Sequence, residues 1–516
     1  MPFRLARATR RRFVPTLEAL EARWTPASAT YNPVTQQLTI VADSDDTITV
    51  SQAANKPTGF LQVTDGSSTI FSGTAFVRHL RADLRNDQFS NFFIADQTRI
   101  AGNVTVISGP ITGAATLGAS AGNGVWIGGS FSYFGTGTAN DNVTIEQLCI
   151  VAGGVNIYAG EGQNYSSLKG YHYGSLYVSG GSSNDIVNVP SLSVGGNLTL
   201  ALGGGPNSFA VTTLLQLGGS LSYTGGNGVD SITVPSAGKF NAGGSVVLNL
   251  GPALGADGSN SVNLQHVTTA GALTVNGGNG TDSVWIEDDV FIGTDLNLLL
   301  RGGANTATVD FDTTALYVKR NLTYTGGSDR DEFNVGDIHV NGNLTVALGD
   351  NVGASGQELD FGGGIATIIL GSVTATGGRH TDLFDIEDAI VGKSVSVNGG
   401  IGGGDSVYLD NSVVSGNATL ITGAGADNFD LDGLILHGNL TILSGGGADT
   451  VSIDEYEVQG ATWIDAGTGD DTIRVEEANN TTPTSFGNAV TFIGGTGVDT
   501  LRIGQAPAHS SGSAAR

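Results

Sequence analysis

The chain has 516 residues, 80 of them glycine, with 39% hydrophobic and 14% charged residues and a formal charge of −26. Acidity on this scale repels nucleic acid and anionic membranes and attracts divalent cations or basic partners. No run of 18 apolar residues exists, which excludes a spanning helix, and the single cysteine, Cys149, excludes an intrachain disulfide.

Residues 1–26 stand apart from all that follows. They hold six arginines and two glutamates, hence +4, which leaves −30 for the remainder. Arginines at 4, 7, 10, 11 and 12 precede a short helical pattern in which Leu17, Leu20 and Trp24 share a face. A secretory signal needs a continuous apolar core, and none is present. The string RRRFVPTLEALEARWTPA resembles the N-terminal segment of planctomycete-type cell-surface and secreted proteins, with its order R-x-R-P-x-LE-x-LE-x-R-x-x-P. That resemblance implies an export segment and an extracellular or cell-surface location. It carries no implication for activity.

Residues 27–101 predict an N-terminal β capping region. TQQLTIVADSDDTITVSQ alternates on both sides of Asp45-Asp46 and predicts a hairpin; GFLQVTDGSSTIFSG at 59–73 predicts another. Arg78, His79, Arg81, Asp83, Arg85 and Asp87 form the densest mixed-charge cluster of the body. Salt-bridged, solvent-facing strands account for such a cluster more simply than catalysis does.

From Gly102 to Gly504 one phrase recurs. A glycine-rich bend leads to an aspartate or asparagine and then to apolar residues at alternate positions. Asp405, Asp427, Asp449 and Asp471 are each 22 residues apart. The same anchor recurs upstream at Asn123, Asp141, Asn164, Asp185, Asn207, Asp230, Asn260, Asp282, Asn305, Asp331, Gln357 and Asp382, and downstream at Asp499. Between anchors lies a second strand opened by Gly-Asn, as in GNLTIL at 438–443. A fixed period of this length marks a repeat architecture whose units bury their apolar faces only by stacking. The expectation is an all-β, single-chain parallel β-solenoid of about 17 coils, roughly 22 residues each, preceded by the short helical export segment and followed by a disordered tail at 505–516.

The sharpest motif is G-G-x-G-x-D, complete at Gly225–Asp230, Gly277–Asp282 and Gly494–Asp499, with near copies ending at Asp427, Asp449 and Asp471. It is similar to the nonapeptide of repeats-in-toxin proteins, whose stacked loops hold calcium. The resemblance implies calcium as cofactor, with Asp230, Asp282, Asp427, Asp449, Asp471 and Asp499 as ligands. The match is partial: that family runs two nonapeptides per coil, and this chain has one. Asn207, Asn260, Asn305 and Gln357 also replace the aspartate. Asp and Asn favour such turns without any metal, so both readings stand.

Catalytic signatures are sparse. No His pair has metal-ligand spacing, and neither a G-x-S-x-G elbow nor a phosphate-binding loop occurs. The best acidic groups are Asp385, Glu387 and Asp388, with Arg379 and Lys393 near, and Glu287, Asp288 and Asp289. The expected function is therefore non-enzymatic: an adhesin-like or envelope structural rod with polysaccharide or protein partners at the cell envelope. The alternative is a carbohydrate-active β-helix enzyme, a lyase or hydrolase.

Overall fold

The computed structural model describes residues 27–504, apart from 43–45, 87–88, 120–122, 139, 253–257, 311–315, 351–355, 362–366 and 477–482. The expected export segment (1–26) and tail (505–516) lie outside the described residues. What is described is all-β, a parallel β-solenoid of about 16 turns set roughly 23 residues apart. Two long sheets, of 20 and 35 strands, run the length of the rod.

One coil shows why the sequence folds this way. Asn428–Asp432, Ile435–Leu436 and Leu440–Leu443 are its three strands. Alternation turns Phe429, Leu431, Leu436, Leu440 and Ile442 inward, where none is solvent-exposed. Burial of each contributes about 1.5–3 kcal/mol. The next coil repeats the pattern in register: Phe429 pairs with Val451, Leu436 with Val458 and Leu440 with Thr462. The wider sheet supplies two strand columns per coil because the chain bends between them. At that bend Asp388, Asn411, Gly433 and Glu455 take positive φ of 47° to 64°. Asn, Asp and Gly tolerate this left-handed region best, which explains the polar residue at each corner.

The start of the rod departs from expectation at one place. Residues 59–73 do lie in an antiparallel hairpin, Phe60–Asp65 against Ser68–Phe76. The strands flanking Asp45-Asp46 do not pair with each other. Gln37–Val41 joins the 20-stranded sheet beside His79–Asp83, and Thr47–Gln52 joins the other sheet beside Phe89–Ile94. Both of those pairings are parallel, so coil stacking reaches back into the capping region. The reason is that alternating strands can satisfy a corner as well as a hairpin turn, and local pattern does not distinguish them. Antiparallel strands Ser28–Asn32 and Phe60–Asp65 cover the first coils.

The Gly-Asn entries form a ladder of their own. The side-chain oxygen of Asn417 accepts the backbone N–H of Asn439 at 2.9 Å, and that of Asn439 accepts from Ala461 at 2.8 Å. Asn103, Asn197, Asn321 and Asn343 make the same contact upstream. Asn439→Ala therefore removes one exposed inter-coil hydrogen bond. It should destabilise by about 1 kcal/mol, read as a lower urea midpoint with an unchanged slope.

The buried aspartate column as candidate functional site

The anchor residues occupy one column, and the column is inside the rod. Asp141, Asp185, Asp230, Asp282, Asp331, Asp382, Asp405, Asp427, Asp449 and Asp471 are all buried, as are Asn164, Asn207, Asn260 and Asn305. The four asparagines, Asp331 and the aspartates from Asp405 onward each accept a hydrogen bond from the backbone N–H of the anchor one coil earlier. Asp405 N–H donates to Asp427 Oδ1 at 2.6 Å, Asp427 to Asp449 at 2.9 Å, and Asp449 to Asp471 at 2.9 Å. The longer intervals do not interrupt the series: Asp230 N–H reaches Asn260 Oδ1 (2.9 Å), and Asp471 N–H reaches Asp499 Oδ1 (3.2 Å).

The same packing accounts for the glycines. A Cβ on Gly225 would collide with the Asp230 carboxylate, and one on Gly228 with the Gly205 carbonyl of the preceding coil. Gly447 adds a positive φ of 143° to the same close approach, against the Gly425 carbonyl. The G-G-x-G-x-D phrase thus follows from coils stacked with no room for a side chain at the bend.

Two chemically different halves meet near Gln357. From Asp141 to Asp331 acid and amide alternate. Asn164 Nδ2 donates to Asp185 Oδ1 at 2.6 Å, Asn207 to Asp230 at 3.1 Å, Asn260 to Asp282 at 2.7 Å and Asn305 to Asp331 at 2.8 Å. The second oxygen of Asp230 and of Asp282 accepts the N–H of Gly251 and Gly278. Tyr223 adds its hydroxyl to Asp230 Oδ1 at 3.0 Å. From Asp382 to Asp499 every anchor is an aspartate, and no amide is interposed. Among the described residues, Oδ2 of Asp405, Asp427, Asp449 and Asp471 is buried without a hydrogen-bond partner; in the other half Oδ2 of Asp185 is too.

Burial is the main force on these carboxyls and disfavours their charged form. It pushes Asp282, Asp382 and Asp449 up to about 6 and Asp405 up to about 7; neighbouring aspartates push Asp405 and Asp449 further the same way. Asp185 also rises to about 7, again through burial first.

Of the six residues expected to bind metal, the column therefore separates Asp230 and Asp282, whose oxygens are already engaged, from Asp427, Asp449 and Asp471, which each keep an orphaned oxygen. Asp499 ends the series and is exposed. No cluster of three or more His, Cys, Asp or Glu side chains poised for a metal occurs among the described residues.

The other expected groups are placed elsewhere. Arg81 and Arg85 both pair with Asp83 within one coil, at 3.2 and 2.8 Å, and His79 Nδ1 accepts the Asn103 N–H, which ties that coil to the next. Asp288, Asp289 and Asp388 are left-handed corner residues. Arg379 faces Asp350 at 3.7 Å. Cys149 is buried, with its thiol pushed up to about 11 by burial, and donates to the Leu117 carbonyl.

One feature was not anticipated from the sequence: a second, outward-facing acidic stripe. Asp360 pairs in register with Asp385, and Glu387 with Asp410. Asp410 Oδ1 accepts the Asp432 N–H at 3.1 Å, and partial burial followed by Asp430, Asp385 and Asp432 raises its carboxyl to about 7. The residue closing each strand (GGGDSVYLD, NFDLD, TVSID) was its signal.

No protein-family profile, curated protein or solved structure matches this chain. Among the described residues no helix is long and apolar enough to cross a membrane.

Proposed function

We propose that the protein is a non-enzymatic, exported surface rod, adhesin-like or structural in the cell envelope, with polysaccharide or protein partners there. The observation that carries this reading is the use of its sharpest motif: the buried anchors and bend glycines are consumed in holding coil to coil. A carbohydrate-active enzyme is disfavoured because its best acidic groups are corner residues or members of an acidic stripe. Export rests on the N-terminal segment. A tagged full-length protein should fractionate with the envelope or medium, whereas a variant lacking residues 2–24 should stay inside the cell with the same far-ultraviolet circular dichroism. Envelope recovery of the shortened form would remove the export reading.

Calcium is the second reading, favoured at one place. The orphaned oxygens of Asp427, Asp449 and Asp471 lie at bends rich in glycine carbonyls, and oxygen donors of both kinds suit calcium. Bound there, the ion would neutralise adjacent carboxylates and stiffen the C-terminal half. Millimolar calcium should then raise the melting temperature, because a ligand of the folded state alone stabilises it. Asp449→Asn should reduce that response more than Asp185→Asn does. No heat of binding together with an unchanged melting temperature would leave the aspartates as turn formers.

A further inference from the structure

Near the N-terminal end of the rod a cavity of about 370 Å³ opens between the turn at 53–58 and three successive coils. That volume is within the range of small-molecule sites. Its polar lining comes from Gln52, Lys56, Gln97, Arg99 and Asn123, with the indole of Trp126 and the aliphatic Ile150 beside them. No Asp or Glu lines it, although the chain carries 48 acidic residues against 22 basic ones.

The fold builds this lining rather than leaving it loose. Gln52 donates its side-chain amide to the carbonyls of Pro57 (2.7 Å) and Phe60 (3.0 Å), which fixes the turn carrying Lys56. Gln97 holds a positive φ of 62°, and its N–H reaches the Gly124 carbonyl. Trp126 is in register between Arg99 of the preceding coil and Ile150 of the next, so guanidinium, indole and aliphatic side chain are consecutive rungs of one outward row. Two buried acceptors in the lining lack partners: Gln52 Oε1 and the Thr98 hydroxyl oxygen, Thr98 being wholly buried. Buried polar atoms of this kind cost free energy unless something completes them.

We infer that the cavity binds an acidic saccharide, a short segment bearing a uronate carboxylate. Side-chain amides and threonine hydroxyls supply directional donors and acceptors for sugar hydroxyls, an indole suits the apolar face of a pyranose, and Arg99 with Lys56 can hold a carboxylate. The absence of lining carboxylates makes this a binding site without an acid–base pair for cleavage. The inference gives chemical form to the polysaccharide partner proposed above, and the two fail separately. A rod that never leaves the cell could still bind the sugar in vitro, and an exported rod could fail to bind it.

The test is calorimetry on the full chain with a galacturonate disaccharide, its neutral galactose counterpart and inorganic phosphate at equal ionic strength. Saturable binding of the acidic disaccharide is expected, with the neutral one at least about tenfold weaker through loss of a charge-assisted contact. Lys56→Gln and Arg99→Gln, both at exposed positions, should each weaken the acidic ligand and leave the neutral one unchanged. Trp126→Leu should weaken both. Unchanged melting curves would confirm that the variants are folded. Absence of saturable heat at about 10 mM, equal affinity for phosphate, or full binding by the Lys56→Gln/Arg99→Gln double variant would each overturn the inference.

Discussion

Raising the pH from 5 to 8 should lower the melting temperature of the rod. The sign follows from the direction of the carboxyl shifts. Folded Asp405 titrates at about 7 and folded Asp382 and Asp449 at about 6, against an ordinary value of 3.8. A raised value means the folded state holds the proton more tightly. The stabilisation is therefore complete below about 3.8 and is lost as pH rises through 6 to 7. Asp405 alone could carry roughly 2 kcal/mol of this once solvent screening is allowed for, and charged neighbours about 5 Å apart would repel by about 3 kcal/mol at an effective dielectric of 20. His172 acts in the opposite direction. It is buried and held down to about 4 by desolvation, so it favours folding above its ordinary 6.5 and loses that contribution as pH falls. One histidine does not offset the run of aspartates, and a fall of on the order of 5 °C between pH 5 and 8 is the expected outcome. A flat or rising melting temperature would show that water or cations reach the column freely.

The N-terminal half indicates how to reduce the number of neighbouring acids that contribute. Asn305 accepts the backbone N–H of Asp282 at Oδ1 and donates through Nδ2 to Asp331 Oδ1, so an amide keeps the inter-coil backbone bond and gives the next carboxyl a donor. The double variant Asp427→Asn/Asp471→Asn would impose the same alternation on Asp405, Asp449 and Asp499. It should melt higher than the parent at pH 8 and show a weaker pH dependence. Under the calcium reading it should also lose most of its response to the ion. Measuring both with and without a chelator separates protons from calcium as the counter-charge.

The solenoid was legible because its signal is repeated: Asp427 and Asp449 specify the same bend, and Phe429 and Val451 the same inward position. Other features depend on contacts that no single unit reveals. The alternation of Asp and Asn from Asp141 to Asp331 is plain in the string, yet each asparagine looks like a lapse from G-G-x-G-x-D until its amide is seen to donate to the next coil. Burial of the column was likewise hidden, because an aspartate after a glycine bend is ordinarily a solvated turn former. The misplaced hairpin at Asp45-Asp46 has a similar origin, since a two-sided alternation is common to hairpins and to corners. Trp126 and Arg99 lie 27 residues apart and become neighbours only through coil stacking.

Deleting residues 428–449 should leave a cooperative rod one coil shorter, whereas deleting 428–438 should disrupt the C-terminal half. The larger deletion joins Asp427 to Thr450, which already pairs in register with Asn428. Ser406 would then face Thr450, Val407 would face Val451, and inward positions would meet inward positions on all three strand columns. Asp427 N–H would find Asp471 Oδ1 where it had found Asp449, because successive anchors are equivalent. The cost is one coil of nearest-neighbour contacts, with the contacts of every other coil retained. The smaller deletion removes strands Asn428–Asp432 and Ile435–Leu436 and leaves the chain half a turn short. Leu440–Leu443, which belongs beside Ala418–Ile421, would then have to follow Asp427 directly, and the bend before Asp449 would arrive on the wrong side of the rod. Asp427 N–H would lose Asp449 Oδ1 as its acceptor, or the segment after Asp427 would detach. The expected readout is proteolysis beginning downstream of Asp427 and a low-temperature melting phase in the 11-residue deletion, both absent from the 22-residue deletion. Equal stability of the two would mean that the coils are not held by register at all, against the pairing seen from Gln37 to Ile503.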